Sequence, residues 1–277
     1  MDLYTTTTYK CSRLITQHYS TSFTLGIKTL DKKYHMPIYA IYGFVRYADE
    51  IVDTFHDHDK ASLLRRFKDD TYRAIAEKIS LNPVLHSFQE VVNQYNIDLD
   101  LIEAFLKSME MDLHESTYDQ AGYEEYIYGS AEVVGLMCLR VFLDGNDQRY
   151  RELKAPAKSL GSAFQKVNFL RDLKSDYKER GRVYFPEVDF RIFAEEDKQK
   201  IEEDIQRDFD HALEGILQLP TTSRLGVYLA YIYYLQLFKK IRNLPSSKIM
   251  NERIRIPNFN KLLLLTKTYF MHQIRLI

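Results

Sequence analysis

Residues that break regular structure are scarce in this 277-residue chain: it has ten glycines and seven prolines, none of them clustered. No stretch rich in serine, glycine and proline interrupts the periodic segments, so the chain offers no linker and predicts a single domain over 1–277. Strand patterns bounded by Asn-Gly or Asp-Gly turns are also scarce; the one Asp-Gly, at Asp144-Gly145, follows a helical pattern. That excludes a sheet-built fold and predicts an all-α one. Only two cysteines occur, Cys11 and Cys138, far apart and without histidines at metal-ligand spacing, which predicts buried thiols in a reducing compartment. The formal net charge of -1 argues against a nucleic-acid binder, which normally carries a strongly basic face. There is no apolar run of the roughly 20 residues that cross a bilayer; the longest, Leu225 to Phe238, carries four tyrosines and predicts a core helix. The start, MDLYTTTTYK, lacks both a cationic segment and an apolar run, so no signal peptide is legible and a cytoplasmic location is expected.

What is present is helical periodicity. Helices are expected over about 4–19, 32–55 (capped by Asp31, with Pro37 kinking or delaying its start) and 60–80, the last capped by Asp59. Asn82-Pro83 restarts the chain, and helices follow over about 99–113, 123–143 and 148–177. Arg180-Gly181-Arg182 breaks the pattern, 183–186 reads as an extended flap, and helices over 194–219, 223–242 and 258–271 complete the set. Ser20-Thr21-Ser22 is expected as a polar break.

Two of these helices carry acids in apolar surroundings. In RYADEIVDTF, Tyr42, Arg46, Asp49 and Asp53 fall at i, i+4, i+7 and i+11, one narrow stripe on an otherwise apolar helix apart from Glu50. In GSAFQKVNFLRDLKSDY, Gln165, Asn168, Asp172 and Asp176 fall at i, i+3, i+7 and i+11, among Phe164, Val167, Phe169 and Leu170. Burying even an unpartnered neutral polar group costs roughly 2–7 kcal/mol, and an ion far more. Four such aspartates must therefore be protonated, salt-bridged or bound to cations. Arg46 and Arg171 can neutralise two, and their guanidinium groups also match phosphate geometry. Hard divalent ions suit the rest, because Mg²⁺ takes carboxylate oxygen and water and commonly bridges protein to phosphate. Two carboxylate seams facing each other describe a diphosphate site.

At this point the chain resembles the head-to-head isoprenyl diphosphate synthases, the squalene, dehydrosqualene and phytoene synthases, over nearly its whole length. YADEIVD (Tyr47 to Asp53) resembles the first aspartate-rich motif of that family, and QKVNFLRDLKSDYKERGRVYFP (Gln165 to Pro186) its second with the flap. MEMDL (Met109 to Leu113) with YIYGSAEVVGLM (Tyr126 to Met137) resembles the phytoene-synthase signature, including a Val-Gly helix kink, and HYSTSF (His18 to Phe23) the phosphate-contacting segment. The chain departs at Tyr128-Gly129 and Ala131-Glu132-Val133, where family members often have Tyr-Cys and Val-Ala-Gly.

The resemblance implies an isoprenoid-synthase bundle around a central cavity. It implies Mg²⁺, with Mn²⁺ as a substitute, held by Asp49, Asp53, Asn168, Asp172 and Asp176, with Gln165 beside them. Allylic isoprenyl diphosphates would be bound through His18, Ser22, Arg46, Gln165, Asn168 and Arg171, with Phe23, Tyr42 and Tyr126 facing the carbocation, Tyr126 as a catalytic residue. The implied reaction joins two geranylgeranyl diphosphates into phytoene without NADPH. The rivals are a farnesyl diphosphate-using squalene-type enzyme and a helical assembly factor of the same fold without catalysis. Tyr228, Tyr231 and Tyr234, at i, i+3 and i+6, are expected to pack in the core; one of them, or Arg253 or Lys267, is a further phosphate candidate. Asp112 is placed equally as a helix-terminal acid or at the cavity rim. From Lys239 onward nine Lys or Arg residues face one acid, Glu252. This basic tail, from Lys261 through Leu262 to Leu265, Lys267, Tyr269 and Arg275, is a candidate for peripheral contact with the inner membrane face.

Overall fold

The computed structural model describes residues 1–114, 117–178, 181–186 and 188–254. The expected helix over 258–271, Lys267 and the basic tail lie outside the described residues. Described residues form α1 (Leu3–Tyr19), α2 (Thr21–Lys28), α3 (Lys32–Asp53), α4 (Lys60–Glu77), α5 (Pro83–Tyr95) and α6 (Leu99–His114). They continue as α7 (Gln120–Ile127), α8 (Val133–Phe142), α9 (Asp147–Lys178), α10 (Glu195–Leu217), α11 (Thr221–Arg242) and α12 (Ser246–Ile249). Among them there is no strand, only an isolated bridge between Thr117 and Val183. No helix among them is long and apolar enough to cross a membrane.

Local chemistry explains most boundaries. Asp31 Oδ1 accepts from the Lys33 amide at 3.0 Å, and α3 begins at Lys32 without the delay expected from Pro37. Asp59 Oδ1 takes the Ser62 amide at 3.0 Å and starts α4. That helix ends before the expected Ser80, because Lys78 turns left-handed at φ 57°. The expected break at Ser20–Ser22 is instead the start of α2. Ser20 caps it by accepting from the Phe23 amide at 3.1 Å, so α1 and α2 meet at a corner rather than a loop.

The helix expected over 123–143 is interrupted upstream of Val134-Gly135, where the resemblance implied a kink. A π turn over Tyr128–Glu132 separates α7 from α8. Two glycines let this widened turn lie against its neighbours. A Cβ on Gly129 would meet Ala104 O of α6 at 2.4 Å, and one on Gly161 of α9 would meet the Glu132 Cα at 2.8 Å.

Two apolar clusters form the interior. The first is built by α1, α3, α4, α5, α6 and α8 around Phe44, whose ring stacks on Phe88 at 3.9 Å and lies 5.5 Å from Phe67. The second gathers α7, α9, α10, α11 and the 183–193 segment, with Phe169 stacked on Tyr184 at 4.0 Å and Phe209 beside Phe238 at 5.7 Å. Val227 of α11 packs against both.

Candidate active site

A cavity of about 530 Å³ opens among α2, α3, α8, α9, α10 and α11. One part of its lining is apolar, with Leu30, Leu139, Phe142, Leu153 and Leu219; the other is polar, with Ser20, Ser22, Tyr42, Gln165, Asn168 and Arg171. The acids continue the two lining helices beyond the polar part. On α3 the lining residues Ile38, Ile41, Tyr42 and Val45 lead to Asp49 and Asp53; on α9 Phe164, Gln165, Asn168 and Arg171 lead to Asp172 and Asp176.

The α3 seam is short of positive charge. Arg46 lies over the Tyr19 ring at 4.3 Å and pairs chiefly with Glu50, through a close Nη2 contact and an Nε–H donated to Oε2 at 3.1 Å. It comes only to 3.9 Å of Asp49, so the expected pairing with the stripe aspartate is secondary. The Asp49 side chain keeps 35% of its surface, although it stands among many protein atoms. Burial pushes it up to about 7 from 3.8; Arg46 pulls it down, while Asp53 and Asp112 add to the rise.

The α9 seam carries its own cations. Arg171 donates Nε–H to Asp172 Oδ2 at 3.1 Å and closes on the same oxygen through Nη2. Arg253 reaches the other oxygen, with Nε 2.7 Å from Oδ1, so this phosphate candidate is an ion-pair partner of the seam. Asn168 lies 3.5 Å from Gln165 Oε1 and accepts from the Tyr234 hydroxyl at 3.3 Å. Tyr234, expected in the core, lines the cavity and stacks on Phe164 at 3.9 Å; Tyr231 packs in the core against Phe209 as expected. Asp176 is buried.

One residue measures the gap between the seams. The Arg182 backbone N–H donates to Asp176 O at 2.8 Å, while its Nη1 lies 3.7 Å from Asp53 Oδ1. The ends of α3 and α9 are therefore a single arginine's length apart. The same Nη1 is 3.5 Å from Asp112, whose side chain is buried beside the seams rather than merely ending α6.

Other expected site residues are placed unevenly. Ser22, Phe23 and Tyr42 line the cavity, with Phe23 and Tyr42 rings 5.2 Å apart. His18 is exposed in the last turn of α1, outside the lining. Tyr126 is buried and also outside the lining; its hydroxyl donates to Asp112 Oδ2 at 2.9 Å. Burial above all, then the Asp112 charge, holds that hydroxyl protonated well above the ordinary tyrosine range. Among the described residues, no three His, Cys, Asp or Glu side chains gather closely enough to hold a metal ion by themselves.

Sequence reasoning missed Arg182, Tyr184 and Tyr233. Tyr233 lines the cavity one residue off the stripe of Tyr228, Tyr231 and Tyr234. Arg182 and Tyr184 sit in a stretch without periodicity, and only the motif carried by the resemblance pointed to them.

The family model for squalene/phytoene synthase matches residues 16–260. The chain belongs to this family. It is 28% identical over 285 residues to a phytoene synthase of Arthrospira platensis, covering 93% of this chain and 91% of that protein. It is 25% identical over 203 residues to a 4,4'-diapophytoene synthase of Staphylococcus haemolyticus, covering 72% and 68%. Among solved structures, a ligand-bound dehydrosqualene synthase aligns with a TM-score of 0.80 at 21% identity, covering 97% of this chain and 98% of that one. The squalene synthase HpnC of Alicyclobacillus acidocaldarius aligns with a TM-score of 0.79 at 18% identity, covering 91% and 98%. These likenesses establish the isoprenoid-synthase helical fold. The family members are head-to-head isoprenyl diphosphate synthases, prenyltransferases of isoprenoid and carotenoid biosynthesis.

Proposed function

We propose that this protein condenses two geranylgeranyl diphosphates head to head, through a cyclopropyl diphosphate, to phytoene. The observation that carries the reading is one apolar cavity whose polar end runs into two acid seams. From Leu153 to Arg171 the lining spans 19 residues of α9, about 27 Å of helix. An extended four-unit prenyl chain is about 20 Å long from ordinary carbon–carbon geometry. The match to a phytoene synthase over 93% of the chain supports the same product.

The seams fit Mg²⁺ shared with a diphosphate better than a metal held by protein alone. Mg²⁺ takes one or two carboxylates and fills its shell with water and phosphate oxygen, so three converging protein ligands are not needed. Asp49, Asp53, Asp172 and Asp176 would hold it, with Asn168 as a neutral oxygen donor, and Mn²⁺ would serve in its place. Bound there, the ion supplies electrostatic pull on the departing diphosphate.

The chain's own residues do the rest. Arg46 and Arg171, each paired with an acid of its own helix, would exchange that partner for diphosphate oxygens. The rings of Phe23, Tyr42, Phe164 and Tyr234 line the cavity and would favour positive charge on the allyl group. The apolar end keeps water from that cation, so the double bond of the second substrate is its nucleophile. The first diphosphate leaves as the new carbon–carbon bond forms and a proton is lost to close the cyclopropane. After the second diphosphate leaves and the skeleton rearranges, loss of another proton ends the reaction without a reductant.

The test is to incubate purified protein with geranylgeranyl or farnesyl diphosphate, Mg²⁺, and NADPH present or absent, and to identify the hydrocarbon. Phytoene from the longer substrate without NADPH is expected. A product only from farnesyl diphosphate overturns the chain length, and no hydrocarbon from either overturns the enzyme reading.

A further inference from the structure

Arg182 lies outside the cavity lining, yet one of its nitrogens stands between two carboxylates. Nη1 is 3.5 Å from Asp112 Oδ1 and 3.7 Å from Asp53 Oδ1. Asp112 has the stronger hold: its main-chain carbonyl also accepts from Arg182 Nη2 at 3.0 Å. Asp112 is itself fixed, because its Oδ2 accepts the Tyr126 hydroxyl at 2.9 Å. Tyr126 is immobilised in turn, with ring centroids 5.1 Å from Tyr118 and 5.4 Å from Tyr184, and Tyr184 stacks on Phe169.

A guanidinium next to Asp53 competes with any cation that this carboxylate is to receive. How strongly it competes depends on Asp112. With a buried, oriented charge on Asp112, Arg182 is already neutralised and Asp53 keeps its charge for an incoming ion. Were Asp112 neutral, the whole guanidinium charge would fall to Asp53, from an Arg182 side chain only 15% exposed.

We propose that Asp112, oriented by Tyr126, is a positioning residue that holds Arg182 off Asp53 and so sets the cation affinity of the first acid seam. This rests on the reading of Asp49 and Asp53 as cation-binding carboxylates. Tyr126 then acts through a carboxylate and an arginine, away from the carbocation.

The experiment titrates Mn²⁺ alone into the full-length protein and reads free ion by electron paramagnetic resonance. Asp112→Asn should weaken binding on the order of tenfold, and Asp112→Glu should restore most of it. Arg182→Gln should bind at least as tightly as the parent. The double variant Asp112→Asn/Arg182→Gln should return to within about threefold of the parent, because charge and counter-charge leave together. Damage to packing predicts the opposite, two single losses that accumulate. Parental affinity in Asp112→Asn, no recovery in the double variant, or no Mn²⁺ bound by the parent overturns the inference. Hydrocarbon formation by the parent is scored separately: an intact product with the wrong affinity pattern removes only this inference, whereas absent product removes the enzyme reading.

Discussion

The two acid seams share one spacing and meet opposite surroundings. On α9, Asp172 is held by Arg171 and Arg253, one on each oxygen side. On α3, the arginine one turn before Asp49 is drawn to Glu50, and burial with the charges of Asp53, Asp112 and Glu50 outweighs its pull and lifts the Asp49 carboxyl to about 7. An identical Asp-x-x-x-Asp register therefore produces a neutralised seam in one helix and a charge-starved seam in the other. On the proposed function, the starved seam would gain the more from an arriving cation, and the neutralised one would offer its guanidinium groups to an arriving diphosphate.

The largest expected effect tests whether both seams serve one reaction. Asp53→Asn and Asp172→Asn should each lower product formation on the order of a thousandfold. Parental turnover in either variant, measured by hydrocarbon yield, would break the pairing of the seams.

Stability against pH sharpens the contrast in the metal-free protein. Asp49 is raised in the fold from 3.8 to about 7, so the native state binds the extra proton between those values. Its stabilising effect is complete below about pH 4 and is lost as pH rises through 7. Asp49→Asn should melt level with the parent near pH 4 and above it by about 3 °C at pH 8. Equal melting at both values would show that Asp49 is not the strained acid. Glu50→Gln should bring the seams closer in behaviour, because Arg46 then turns to Asp49. The pH at which stability falls should move down by about half a unit; an unmoved midpoint would show that Glu50 does not divert the arginine.

The smallest effect concerns the exposed half of the α9 pair. Arg253→Gln should leave Asp172 paired with Arg171 and weaken binding of inorganic diphosphate about twofold at low salt, with less difference at high salt. A tenfold loss in calorimetry would instead make Arg253 a main anion contact.

Much of this was legible because it is local. The stripes Tyr42–Asp53 and Gln165–Asp176 follow from helical periodicity, and the Asp31, Asp59 and Asn82 caps hydrogen-bond within three residues of themselves. The start of α2 was hidden because a cap and a break use the same polar residues, and the capping bond of Ser20 tells them apart. The π turn was hidden because its cause is close approach, Gly129 against α6 and Glu132 against Gly161 of α9. Tyr126 was placed toward the cavity by resemblance, whereas its hydroxyl is spent on Asp112, 14 residues earlier.

By itself the order of residues determined that this chain is helical, which faces are apolar, and where four acids fall along two helices. Those properties need only neighbours three and four positions away. Folding decided which arginine answers which aspartate. Arg46 had Asp49 and Glu50 equally at hand, while Arg182 joined Asp53 and Asp112 across 129 and 70 positions. Coulomb energy depends on distance and on how much water remains between charges, and neither exists until the helices have packed.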